Sequence, residues 1–146
     1  MTPAQILLVQ TTFQQVVPIR EQAAQIFYNR LFQLDPSLRS LFVATDLRQQ
    51  GLKLMASLGF VVRGLHHPAA ILDDVRALAR RHAEYGVEEH HFAIVGEALL
   101  WTLRTGLGQA FTPAVREAWA AAYAMLSRAM IEAMRQDEKP ARRAAG

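Results

Sequence analysis

Apolar residues recur at intervals of three and four along most of the chain, which is the period of an amphipathic helix. No segment alternates with a period of two, so the pattern predicts an all-α protein. At three places a capping residue directly precedes a proline, a combination typical of a helix start. These are Thr2-Pro3, Asp35-Pro36 and Thr112-Pro113. We therefore expect a helix to begin at each of these prolines.

Other signals divide the chain further. Pro18 separates two apolar stripes, Asp46 is placed to cap a later helix, and Gly86 is placed to end another. Beyond the first, the predicted helices cover about 19–34, 36–42, 47–65, 71–85, 88–105 and 113–136. In the 47–65 helix we expect the apolar face along Leu47, Gln50 or Gly51, Leu54, Leu58, Val61 and Leu65. We expect one domain over 1–137 and a flexible tail over 138–146.

The composition limits the possible function classes. A chain of 146 residues with 51% hydrophobic and 20% charged residues suits one packed domain. The lack of cysteine excludes disulfides, thiolate zinc sites, iron–sulfur ligation and covalent haem attachment through a Cys-x-x-Cys-His motif. A net charge of +3 with interspersed acids argues against nucleic acid as a partner. Since no apolar run reaches about 18 residues and no leader features precede Gln10, we expect a cytoplasmic protein without membrane contact.

One histidine stands where an apolar residue is expected. Ile71, Val75, Leu78 and His82 follow one another at helical steps, so His82 lies in the inward stripe of its helix. Such a histidine is commonly just a partly buried residue hydrogen-bonded to the backbone. The additional signal is a phenol, an aromatic ring and an amide upstream that can converge on one cavity: Tyr28, Phe42 and Gln50.

Several stretches around these residues resemble the globin family, in particular bacterial single-domain haemoglobins and the haem domain of flavohaemoglobins. Residues 27–32 and 35–42 are similar to the second and third globin helices. Residues 81–82, 86–87 and 94–100 are similar to the iron-ligating helix and the start of the next. The resemblance covers nearly the whole chain and implies a globin fold, a three-over-three helical sandwich around a haem pocket. It also implies haem b, iron protoporphyrin IX, as a non-covalent cofactor.

The resemblance also implies roles for individual residues. His82 matches the proximal iron ligand and Phe42 the aromatic residue that stacks on the haem. Tyr28 and Gln50 match the distal residues that stabilise bound ligand. Three more residues are expected to contact haem: Leu54 and Val87 as apolar walls, and Lys53 through a propionate.

Alternatives stay open for the polar members of this set. Gln49 lies next to Gln50, so a slip of one residue would exchange the two. The Tyr28 hydroxyl can instead cap a carbonyl, Gln50 can simply be exposed, and Lys53 can be a solvated lysine. If both distal groups donate to bound dioxygen, each hydrogen bond stabilises the bound gas by on the order of 1 to 3 kcal/mol.

The chain departs from the flavohaemoglobin pattern beside the iron ligand. Where that pattern has a tyrosine and a glutamate, this sequence has Phe92 and Met134. Neither accepts a proton or carries charge, so the resemblance implies a less electron-rich histidine and favours reversible binding over oxidative turnover.

We expect the remaining histidines at the surface and three aromatic residues in the core. The adjacent pairs His66-His67 and His90-His91 are expected on the surface, since neighbours do not share a helix face and no carboxylate spacing indicates a zinc site. His91 is placed near the haem edge by the resemblance. Trp101, Trp119 and Tyr123 are expected to be core residues.

The resemblance implies that the protein binds dioxygen, nitric oxide and carbon monoxide, serving oxygen storage, delivery or scavenging. The enzymatic alternative is nitric oxide dioxygenation, which we expect to require a separate reductase. A haem-based gas sensor is a third class, disfavoured because no output domain follows the last helix. A haem-free helical interaction domain is the fourth. We expect a monomer or a weak homodimer.

Overall fold

Residues 1–145 form six α-helices joined by short turns and 3-10 segments. The computed structural model describes the backbone of residues 1–145 and the side chains of residues 1–136. The helices are α1 (Pro3–Val16), α2 (Arg20–Leu34), α3 (Leu47–Arg63), α4 (Leu72–Glu84), α5 (His91–Leu107) and α6 (Pro113–Ala145). The 3-10 segments are Val17–Ile19, Pro36–Phe42, Pro68–Ile71 and Gly108–Ala110. No strand occurs in residues 1–145, which confirms the all-α prediction.

The predicted helix starts are capped as their sequences indicate. Thr2 and Gln5 form a reciprocal capping box, in which each side chain accepts a hydrogen bond from the backbone amide of the other. The Asp35 carboxylate caps the segment at Pro36, and the Thr112 hydroxyl accepts from the amide of Val115 at 3.2 Å. Local side-chain chemistry therefore determines these three starts.

Two predicted helix boundaries differ from those in the structure. Helix α5 begins at His91 rather than at residue 88, because the Glu88 amide donates to Nδ1 of His91 and residues 88–90 form a turn. Helix α6 continues to Ala145, beyond the predicted end near Gln136. The expected flexibility of 138–146 stays a prediction, since the side chains there and all of Gly146 lie outside the described residues.

The helices bury two separate hydrophobic clusters. Helix α2 packs against α3 and α5, while α1 and α4 both pack against α6. The larger cluster unites α1, α2, α3, α5 and α6 and includes Tyr28. The smaller cluster joins α4 to the start of α5 and the later part of α6, through Val75, Ala79, Phe92, Met130, Ala133 and Met134. The helix that carries His82 is thus supported by its own cluster.

Two of the three aromatic residues assigned to the core pack there. Trp119 is 2% exposed, and its indole donates to the Thr12 hydroxyl at 2.8 Å. Tyr123 is partly buried against the larger cluster. The prediction is wrong for Trp101, which is 40% exposed. Its ring packs instead under the guanidinium of Arg30, 4.1 Å from the ring centroid, a cation–π contact at the surface.

The buried residues of α3 differ in part from the predicted apolar stripe. Its buried residues are Gly51, Met55, Gly59 and Val62, whereas Leu54, Leu58 and Val61 are half-buried and Leu47 is exposed. The difference has a steric cause at Gly51, where an added Cβ would lie 2.7 Å from Cβ of Ala24. Two small residues allow α2 and α3 to approach closely at this point.

A Gly51→Ala variant is therefore expected to lower the free energy of unfolding by about 1–3 kcal/mol, the usual cost of overpacking. Urea denaturation measures this change. Gly59→Ala on the same helix is the matched control, because its added methyl meets the flexible end of Arg63 at 3.2 Å. The control should keep or gain stability, by up to about 1 kcal/mol of helix propensity. Equal losses in both variants would contradict the steric explanation.

Candidate functional site

His82 lies in the last turn of α4 with its ring orientation fixed by the backbone. Its Nδ1 is 2.8 Å from the carbonyl oxygen of Leu78. Because a carbonyl only accepts hydrogen bonds, Nδ1 carries the proton and the neutral ring keeps its lone pair on Nε2. Burial lowers the pKa of His82, the hydrogen bond to Leu78 opposes this, and Arg81 adds to the lowering. The result is a neutral imidazole with Nε2 as a potential metal ligand.

The turn after α4 folds back beside His82. The amide of Val87 donates to the His82 carbonyl at 3.0 Å, and Gly86 adopts φ +92°, a conformation that favours glycine. A Cβ built on Gly86 would lie 3.3 Å from Cδ2 of Leu41. The turn therefore contacts the residue next to Phe42, and Val87 is half-buried.

Tyr28 and Phe42 form an aromatic contact between α2 and the 3-10 segment that follows it. Their ring centroids are 5.5 Å apart with planes at 69°, an edge-to-face arrangement. Phe32 contacts Phe42 in the same way at 5.6 Å, and Phe27 contacts Tyr28 at 5.1 Å. Tyr28 is only 6% exposed, whereas Phe42 is half-buried. The structure thus brings together two of the residues singled out in the sequence.

Gln50 on α3 completes this group. Burial raises the pKa of the Tyr28 hydroxyl to about 12, and the nearby polar side chain of Gln50 partly opposes this rise. Gln50 is half-buried while Gln49 is exposed, so Gln50 is the glutamine that meets Tyr28. The hydroxyl therefore stays neutral and able to donate, beside an amide that can also donate.

The other expected contacts lie further along α3. Leu54 is half-buried one turn after Gln50 and lines an apolar cavity of about 20 Å³, together with Phe27 and Leu58 among others. Lys53 is exposed, as expected of a solvated lysine, and its contact with a propionate stays a prediction.

Comparison with known proteins decides the family. The globin family model matches residues 25–130, which include His82, Tyr28 and Gln50. The chain belongs to the globin family. Its all-α fold is therefore the globin fold, and the sequence-based assignment is confirmed.

Individual relatives fall into two groups. This globin is 33% identical over 122 residues to a flavohemoprotein of Vibrio cholerae, covering 80% of this chain and 31% of that protein. It is 35% identical over 113 residues to a flavohemoprotein of Bordetella pertussis, covering 76% and 28%. It is also 33% identical over 118 residues to a neuroglobin of Tetraodon nigroviridis, covering 72% and 74%. The chain spans about a third of the length of the flavohemoproteins.

The hydrophobic cluster that supports α4, the helix of His82, includes Phe92 and Met134. Phe92 and Met134 are both 7% exposed and belong to the same small cluster. The His82 ring is hydrogen-bonded to a neutral carbonyl.

Sequence reasoning missed the role of Tyr123, whose hydroxyl donates to the backbone carbonyl of Phe92 and so joins α6 to the start of α5.

The paired histidines differ from one another in their surroundings. His66, His67 and His90 are exposed and His91 is half-buried, which agrees with a surface location. The second pair has a carboxylate beside it, a contact that the sequence spacing did not indicate; the prediction that these pairs form no closed zinc site stays a prediction. Nδ1 of His90 lies 3.3 Å from a carboxylate oxygen of Glu88, and the two imidazoles lie side by side.

The donor set of this globin suits haem. His82 supplies a neutral nitrogen ligand, the ligand type that binds haem iron in globins. The apolar side chains of Phe42, Leu54 and Val87 are half-buried rather than buried, as expected of residues that contact a flat apolar cofactor.

Among the described residues, no helix has the length and apolar character needed to cross a membrane.

Proposed function

We propose that this globin binds dioxygen reversibly through non-covalent haem b, with His82 as the proximal ligand and Tyr28 and Gln50 stabilising the bound gas. When bound, haem supplies an iron atom with an open coordination position for a diatomic ligand. The observation that carries the proposal is the buried Tyr28 side chain, which contacts Phe42 edge to face and has the half-buried Gln50 near its hydroxyl. The two side chains offer two potential donors beside the apolar rings of Phe27 and Phe42.

His82 would hold the iron through Nε2. Its hydrogen bond to Leu78 fixes the tautomer and the ring orientation, so the ligand nitrogen is oriented before the cofactor arrives. Because the acceptor is a neutral carbonyl and not a carboxylate, the imidazole gains little additional electron density. This arrangement favours ligand binding over cleavage of the oxygen–oxygen bond.

Phe42, Leu54 and Val87 would contact haem and keep water away from its iron. Exclusion of water slows the loss of bound dioxygen as superoxide, because that charged product needs solvation. Tyr28 and Gln50 would donate hydrogen bonds to the partial negative charge on the bound gas. The hydroxyl remains a neutral donor up to a pH near 12, so its contribution does not vary at physiological pH.

Nitric oxide dioxygenation is the second candidate, favoured by the similarity to flavohemoproteins. In this reaction dioxygen, nitric oxide and one electron give nitrate. A reductase would therefore have to supply one electron in each cycle. The rate at which the iron is reduced again separates this enzyme from an oxygen-storage protein.

The test is the visible absorption spectrum of the haem-loaded, reduced protein, recorded under argon and again after air is admitted. We expect an intense Soret band that shifts on mixing with air to a form that persists. Immediate conversion to the ferric state would contradict reversible dioxygen binding. A colourless protein after expression with supplied haem would exclude haem binding altogether.

A further inference from the structure

A second group of potential metal ligands lies in the turn between α4 and α5. Glu88, His90 and His91 each offer one oxygen or nitrogen atom, and these three atoms all lie within 4.8 Å of one another. Zn²⁺ is bound in proteins by histidine nitrogens and carboxylate oxygens of this kind. We propose that Glu88, His90 and His91 form a binding site for a divalent transition-metal ion, separate from His82, with Zn²⁺ as the ion to test.

The two imidazoles meet at the start of α5. His90 directly precedes the helix with φ −66° and ψ −20°, and His91 is the first residue of the helix. The ring centroids are only 4.1 Å apart, with planes at 49°. The Glu88 carboxylate turns towards the same point and lies 3.3 Å from Nδ1 of His90.

The cluster is close to the size that a zinc ion requires. Donor atoms around a tetrahedral zinc ion lie about 3.4 Å apart, given bond lengths near 2.1 Å. The widest pair of the cluster must therefore close by roughly 1.4 Å from its 4.8 Å limit. Glu88 and His90 are exposed, so rotation of their side chains can supply this movement without disturbing the core. Water molecules would complete the coordination.

The neighbouring charges favour Glu88 as the carboxylate ligand. Glu89 already pairs with Arg135, whose Nη2 donates to it at 3.0 Å. Asp35 adds negative charge near the cluster. Its pKa is lowered mainly by a hydrogen bond from Ser37 and to a smaller extent by the charges of His91 and His90. A cation would therefore be held between Glu88 and two imidazoles, with a further carboxylate nearby.

Binding has a cost that limits the affinity. The amide of Glu88 donates to Nδ1 of His91 at 2.9 Å, so the neutral ring carries its proton on Nε2. Coordination through Nε2 moves that proton to Nδ1, and this hydrogen bond is then lost. The positive end of the α5 dipole also opposes a cation. We therefore expect one site of moderate affinity rather than a tightly closed structural site.

The experiment is isothermal titration of the haem-loaded chain, without a histidine tag, with ZnCl₂. We expect one Zn²⁺ per chain and an unchanged Soret band. His90→Asn and Glu88→Gln should each weaken binding by about tenfold or more, equivalent to 1.4 kcal/mol. The matched controls are the double variant His66→Asn/His67→Asn, the other adjacent pair, and Glu89→Gln, which should both keep the affinity of the unmodified chain.

Two results would overturn the proposal. One is the absence of saturable binding at one ion per chain, which would make the cluster a helix cap whose groups satisfy only one another. The other is equal binding by the unmodified chain and the His90→Asn variant, which would locate the ion elsewhere. Because these residues are at the surface, circular dichroism should confirm that each variant is folded.

Discussion

A His82→Gly variant is expected to lose most of its affinity for haem, and free imidazole is expected to restore part of it. The substitution removes the Nε2 ligand but leaves the Leu78 carbonyl that orients the ring. Added imidazole can occupy the space of the missing side chain and donate to the same carbonyl. We expect haem affinity to fall on the order of a hundredfold, which corresponds to about 2.8 kcal/mol.

Titration of the haem-free chain with haemin, followed by Soret absorbance with and without imidazole, measures this effect. The matched control is His67→Gly, because His67 is exposed in the connection between α3 and α4 and should keep full affinity. Unchanged affinity in His82→Gly would show that another residue holds the iron. Rescue by imidazole distinguishes the loss of a ligand from the loss of the fold.

The helices and their starts could be predicted because their signals are local. Thr2, Asp35 and Thr112 each bond to an amide two or three residues further on, so the sequence contains both partners. The family was equally accessible, because its motifs are short and close to His82 and Tyr28. At these three starts the capping residue and its partner are neighbours in sequence, and the prediction agrees with the structure.

Features that depend on contacts between distant segments could not be predicted in the same way. The inward face of α3 is set by the approach of Gly51 to Ala24. Trp101 lies at the surface, where Arg30 on another helix packs over its ring. Periodicity alone reports neither contact, since it gives the direction of a side chain along one helix and not the position of its neighbour.

The choice between Gln49 and Gln50 shows the same limit at the site. Both residues can be aligned with the family position, and the sequence offers no means of separating them. The structure separates them because Gln50 is half-buried near the Tyr28 hydroxyl, whereas Gln49 is exposed. The close contact between Gly51, the next residue, and Ala24 brings α2 and α3 near each other at this point.

The roles of Tyr28 and Gln50 lead to the second large effect. In the haem-loaded protein, Tyr28→Phe is expected to speed dioxygen dissociation by about tenfold to a hundredfold, because a hydrogen bond to a charged acceptor contributes roughly 1.5–3 kcal/mol. The substitution keeps the ring and its contact with Phe42 and removes only the hydroxyl. Stopped-flow mixing of the oxygenated protein with carbon monoxide measures the rate.

Gln50→Leu should also speed release, and its matched control is Gln49→Leu, which changes an exposed residue and should leave the rate unchanged. Because Tyr28 and Gln50 lie near each other and would act on the same bound gas, the two effects should not add in the double variant. If Gln50 mainly orients the hydroxyl, Gln50→Leu will have little effect once Tyr28 is phenylalanine. If neither single variant speeds release, the two residues do not stabilise the bound gas, and the apolar pocket alone must determine the rate.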